Sequence, residues 1–154
     1  MNIQTVRKAS FSVMGREGTT KQGPGFIQKL WQEANTRFDE VQAFAKRDEK
    51  GNILGIWGAM TDFSRQFRPW ENDFSEGLYL AGIECAEDAA APKGWTKWTI
   101  PGFEYLVLKC EENCGFPEML RYLNENNIAL AGAVHDFTDP ATGEPYMYFP
   151  IAKL

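Results

Sequence analysis

The chain has 154 residues, a formal net charge of −5 and a pI near 5.0, which argues against a nucleic-acid surface because an acidic protein repels phosphate backbones. With 44% hydrophobic and 24% charged residues it has the composition of an ordinary globular protein, and its length suits one domain, residues 1–154, around one core. No stretch approaches the roughly 18 apolar residues of a membrane span, and the first residues hold no sustained apolar run, so a cytoplasmic location is expected.

Residues 11–16 alternate in part and read as a strand, after which Gly23-Pro24-Gly25 breaks the chain. Ile27, Leu30, Trp31, Ala34, Phe38, Val41 and Ala45 then follow at helical spacing, which predicts one helix of about five turns with Trp31 on its core face. Residues 53–63 form the next expected strand. Gly55 and Gly58 inside it signal a bulge or the close approach of another group. A polar loop, 64–75, carries Trp70, and 78–85 is a third strand. Residues 96–110 read as a strand kinked at Pro101-Gly102. A helix opens at Phe116-Pro117-Glu118, and strands are expected over 128–137 and 146–151. The order strand-helix-strand-strand therefore occurs twice. The expected fold class is α+β, with two pseudo-symmetric units packed as one domain and a central ligand groove between them.

In the 78–85 strand, Leu78, Leu80, Gly82 and Glu84 share one face, and Tyr79, Ala81, Ile83 and Cys85 share the other. Both faces are largely apolar, so Glu84 is expected inside the domain. It is then either held by an internal arginine or backbone donors, or it anchors a ligand. Trp57, Trp70, Tyr79, Trp98, Tyr105, Phe137 and Tyr148 supply aromatic faces suited to a flat, lipophilic cation. His135, the lone histidine, is read either as a core or surface residue or as part of that pocket. Cys85, Cys110 and Cys114 lack the companions of a zinc site and read as plain thiols. No metal, cofactor or catalytic residue is expected, and no nucleophile elbow or phosphate-cradling loop is present.

The ordered set Phe11-Ser-Val-Met-Gly15-Arg-Glu, Lys29-Leu-Trp31, Tyr79-Leu-Ala-Gly82-Ile-Glu84, Trp98-Thr-Ile-Pro101-Gly-Phe-Glu-Tyr105 and Tyr148-Phe-Pro150-Ile151 resembles the GyrI-like effector-binding domain. This is the drug-sensing module of bacterial multidrug-responsive transcription regulators. The resemblance implies a pseudo-symmetric α+β fold and binding of amphipathic, often cationic, aromatic compounds around a buried glutamate, matched here by Glu84. The family's Glu-x-Tyr near the C-terminus is matched to Tyr146-Met147-Tyr148. The acid there is replaced by Tyr146, so a second acidic anchor exists only if Asp136 supplies one from the neighbouring strand. Such regulators carry a helix-turn-helix segment ahead of this domain. Here the domain begins almost at residue 1, so direct contact with nucleic acid is not expected. The expected partner is the small molecule, with a protein partner or a homodimer as further options. A hydrolase of reactive aromatic natural products and a protein-interaction module are the alternative functions.

Overall fold

The computed structural model describes residues 2–111 and 115–154. In chain order the strands are β1 (Ile3–Lys8), β2 (Phe11–Thr19), β3 (Ile56–Thr61), β4 (Leu78–Cys85), β5 (Thr96–Ile100), β6 (Phe103–Lys109), β7 (His135–Thr138) and β8 (Pro145–Lys153). The helices are α1 (Phe26–Thr36), the single turn α2 (Glu71–Phe74) and α3 (Phe116–Glu125). All eight strands form one antiparallel sheet in the order β1-β6-β8-β7-β3-β4-β2-β5. Adding four to each strand number of the first half reproduces the second half in reverse. The α+β class and the pseudo-symmetry are therefore present, with β3 and β7 side by side at the centre.

The repeating unit has five elements rather than four, because an edge strand precedes each. β1 pairs with β6, and β5 pairs with β2. Residues 96–110 are accordingly not one kinked strand. Pro101-Gly102 carries the chain from one end of the sheet order to the other, and Ala9-Ser10 does the same between β1 and β2. Two linking residues span at most about 11 Å between flanking Cα atoms, so the sheet must curl until its ends approach each other. The backbone N–H of Leu154 donates to the Gly102 carbonyl at 3.1 Å on this seam.

Curling gives the sheet an inner and an outer face. Phe11, Val13, Trp57, Ala59, Leu80, Trp98, Ile100, Phe103, Tyr105 and Val107 come from both halves and form the inner core. On the outer face α1 packs over β2 and β4, with Leu30 and Ala34 buried. There α3 buries Met119 and Leu123 against Leu106, Leu108, Met147 and Phe149 of β6 and β8. The two helices leave the outer side of β3 and β7 between them as a groove.

Three expected elements differ. The long helix stops at Thr36, where Asn35 and Thr36 are weak helix formers. The apolar stripe continues through two 3-10 turns, Phe38–Glu40 and Gln42–Phe44, which still seat Val41 with no exposure. The strand expected over 128–137 is regular only from His135. A side chain at Gly132 would press on Phe103 and on the Phe67 carbonyl, and Ala131 and Ala133 donate to Pro150 and Phe67 instead of extending the ladder. Strand β3 is shorter than 53–63. Among the cysteines, Cys85 is buried and free, whereas Cys110 is disulfide-bonded and not a plain thiol. Cys114 lies outside the described residues.

Candidate functional site

Strand parity divides the aromatic and acidic residues between the two faces. Trp57 pairs with Phe137 and Gly82, and His135 pairs with Tyr148, so these side chains share the inner face with Glu84. Glu84 is 4% exposed and fully engaged. Lys8 lies 3.2 Å from Oε1 and donates to Oε2 at 3.3 Å, and the Trp57 indole donates to Oε1 at 3.1 Å. The Lys8 ammonium also sits 4.4 Å from the Phe11 ring centre. Glu84 thus has an internal basic partner, but it is a lysine from β1 and not the arginine expected.

Around that pair Trp57 packs on Phe11, Phe137 and Tyr148 at ring distances of 4.7 to 4.9 Å. Tyr148 in turn meets Tyr105 at 5.2 Å. Burial pushes the Tyr148 phenol up to about 12 and that of Tyr105 higher still. His135 has no exposure. Its Nδ1 accepts from the Met60 N–H at 3.0 Å, and burial lowers its pKa to about 3, so it is neutral with its proton on Nε2. Trp98 is buried and donates to Glu17 at 2.7 Å, where Arg65 grips the same carboxylate through two 2.7 Å bonds. The Arg65 bonds and the Trp98 bond hold the Glu17 pKa below its ordinary value against the effect of burial.

The outer face is arranged differently. Ile56, Gly58 and Met60 of β3 alternate onto it, opposite Ile83, Ala81 and Tyr79 of β4, and Asp136 of β7 lies opposite Gly58. A Cβ on Gly58 would fall inside the van der Waals radius of the Tyr79 hydroxyl. The missing side chain lets the phenol lie across β3 and donate to Asp136 Oδ2 at 3.2 Å. Trp31 of α1 donates its indole N–H to the same phenol oxygen at 3.1 Å. The close approach expected at Gly58 is therefore that of Tyr79. Trp31 is not sealed in the core but stands partly exposed in the groove wall.

Asp136 is partly buried. Among the described residues it has no lysine, arginine or histidine within ion-pair distance. Burial raises its pKa to about 6, against the opposing bond from Tyr79. Glu84 and Asp136 thus contrast: the first is neutralised, and the second is an acid without a cation.

A cavity opens on each side of the Trp31–Tyr79–Asp136 chain. One, of about 210 Å³, is lined by residues including Trp31, Ala34, Phe38, Ile56, Ile83 and Trp95. The other, of about 140 Å³, is lined by Met60, Trp70, Phe74, Phe116, Val134 and Met147. Trp70 is anchored by its indole N–H on the Leu78 carbonyl at 2.9 Å, and Phe74 meets Phe116 edge-on at 5.4 Å. Of the residues singled out from sequence, Trp70 lines one of these cavities, and Tyr79 lies on the same outer face but is buried, at 1% exposure. Glu84, Trp57, Trp98, Tyr105, His135, Phe137 and Tyr148 belong to the inner face. The one-residue step from His135 or Phe137 to Asp136 was the available signal for the groove acid, since it reverses the face. Among the described residues no group of His, Cys, Asp and Glu is placed to hold a metal, and no helix is long and apolar enough to cross a membrane.

No family model and no curated protein matches the chain. Solved structures do. SAV2435 bound to tetraphenylphosphonium superposes with a TM-score of 0.67 at 16% identity, over 98% of this chain and 94% of that one. The EcmrR C-terminal domain gives 0.61 at 10% identity, over 99% and 98%. EcmrR in its DNA complex gives 0.63 at 11% identity, and there the match covers 99% of this chain and 58% of the other. The chain has the fold of the GyrI-like effector-binding domain.

Proposed function

We propose that this chain binds amphipathic aromatic cations in the groove between α1 and α3, as an effector-binding module. The observation that carries this reading is Asp136, a partly buried carboxylate that has no cationic partner among the described residues and sits on the sheet between two cavities lined by aromatic side chains. An unpaired acid in an apolar setting favours a ligand that brings the missing charge. Trp31 and Trp70 add ring faces and edges, one in each flanking cavity. The similar SAV2435 structure holds tetraphenylphosphonium, a tetra-aryl cation, which agrees in chemistry. On this reading Glu84 and its inner-face aromatics support the fold behind the groove.

Titration of tryptophan fluorescence with tetraphenylphosphonium tests the assignment. Wild type is expected to bind near micromolar, and Asp136→Asn about tenfold or more weaker, since a desolvated charge contact contributes roughly 1.4 kcal/mol or more. The probe keeps its charge at every pH. Its affinity should therefore fall as pH drops through about 6, where Asp136 takes up a proton. Equal binding by wild type and Asp136→Asn, with no pH dependence, would overturn the reading.

A further inference from the structure

The two cavities and the acid between them define the shape of the ligand. Ile56 lines one cavity and Met60 the other, and both project from the outer face of β3. Four residues of strand separate them, which is about 13 Å. Gly58, the residue halfway between, lies opposite Asp136. Neither lining contains a charged side chain: the larger cavity has Asn35 as its one polar side chain, and the smaller has none. An apolar cavity of about 150 Å³ accepts a single benzene ring, so each of these is sized for an aromatic lobe. Between them stands the Tyr79 phenol. Its hydroxyl donates to Asp136 and accepts from Trp31, over a strand that carries no side chain at that point.

Building on the groove assignment above, we infer that the preferred ligand is elongated, with two aromatic lobes flanking a single central cation, and that it spans both cavities across Asp136. Charge recognition is confined to the middle of the groove. Ligands with charges at both ends would have to bury them against Phe116 and Met147 or against Phe38 and Ile56, which no opposite charge offsets. The Tyr79 phenol must shift aside or pack against the central cation as the two cavities join. Gly58 has no side chain, so a phenol that shifts aside leaves open space over β3.

The test compares two probes of equal charge and equal ring count by isothermal titration. Bis(3-phenylpropyl)dimethylammonium has an extended ring-to-ring distance matching the cavity spacing, and its isomer dibenzyldipropylammonium, with the same number of carbons, is much shorter from ring to ring. The longer probe should bind about tenfold or more tighter, the effect of seating a second ring. Val134→Phe fills the smaller cavity from its floor and should bring the longer probe down to the affinity of the shorter one. Met60→Phe fills the same cavity from β3 and should do likewise if Val134→Phe folds poorly. Equal affinity of the two probes, or an undiminished preference in both filled variants, overturns the spanning ligand. The groove assignment itself fails separately, if Asp136→Asn leaves both affinities unchanged.

Discussion

At the scale of the residue, two acids on opposite faces of one sheet have opposite fates. Glu84 meets Lys8 and Trp57 in the inner core, and the pair is asymmetric because Lys8 is 26% exposed at its side chain while Glu84 is 5%. Lys8→Met strands a buried carboxylate and is expected to cost about 3 kcal/mol in urea denaturation. Glu84→Gln should cost clearly less, since the released ammonium can turn toward water and the amide oxygen can still accept from Trp57. Equal costs would show that the pair is not organised this way. Gly58 is as decisive as either charge. Gly58→Ala forces the Tyr79 phenol off β3 and breaks its bond to Asp136, so a loss of about 2 kcal/mol in thermal unfolding is expected, together with weaker binding of tetraphenylphosphonium.

At the scale of the element, the loop between β3 and β4 holds unusual backbone. Arg65, Phe67, Asn72, Asp73 and Phe74 all have positive φ, and Asn72 to Phe74 do so consecutively at 50°, 59° and 64°. Left-handed geometry costs an L-residue roughly 1 kcal/mol, and here it turns Phe74 onto Phe116 at the end of the groove. Asp73 is exposed, so Asp73→Gly should raise stability by about 0.5 to 1 kcal/mol in chemical denaturation without altering the groove. None of these five positions is a glycine that would announce the turn, which is why the segment reads from sequence simply as polar. Strand β4 was legible to the residue, 78–85, together with its two faces, because every position is buried and alternation has no gaps. Asp136 was named only through the family resemblance, as a stand-in for the acid replaced by Tyr146, and its face was not legible. His135, Asp136 and Phe137 are adjacent in sequence, and which of them points to the outer face depends on the register against β3 and β8. Register is a property of pairing, not of one segment. Trp31 misled for a related reason: its stripe is apolar throughout, and only the placement of α1 at the rim of the groove leaves it partly uncovered.

At the scale of the whole molecule, the mirrored strand order was partly legible as a repeat of element order. The edge strands were not, since β1 and β5 are short and find their partners in the other half. The segment joining the halves, residues 86–94, is largely exposed and carries no strand or helix. Proteolytic cleavage there should leave the two pieces associated through size-exclusion chromatography, because each piece completes the sheet of the other and both contribute to the inner core. Separation of the pieces without denaturant would contradict this.

The exchange of β1 and β5 has one more consequence. Each half wears its neighbour's strand as a clasp, so the molecule is a two-part latch whose parts are useless singly and self-locating together. Residues 2–90 and 91–154, expressed as separate polypeptides fused to two proteins of interest, form a split reporter. The halves would find each other by strand exchange, and the groove floor, with Gly58 and Tyr79 from one piece and Asp136 from the other, would exist only after they meet.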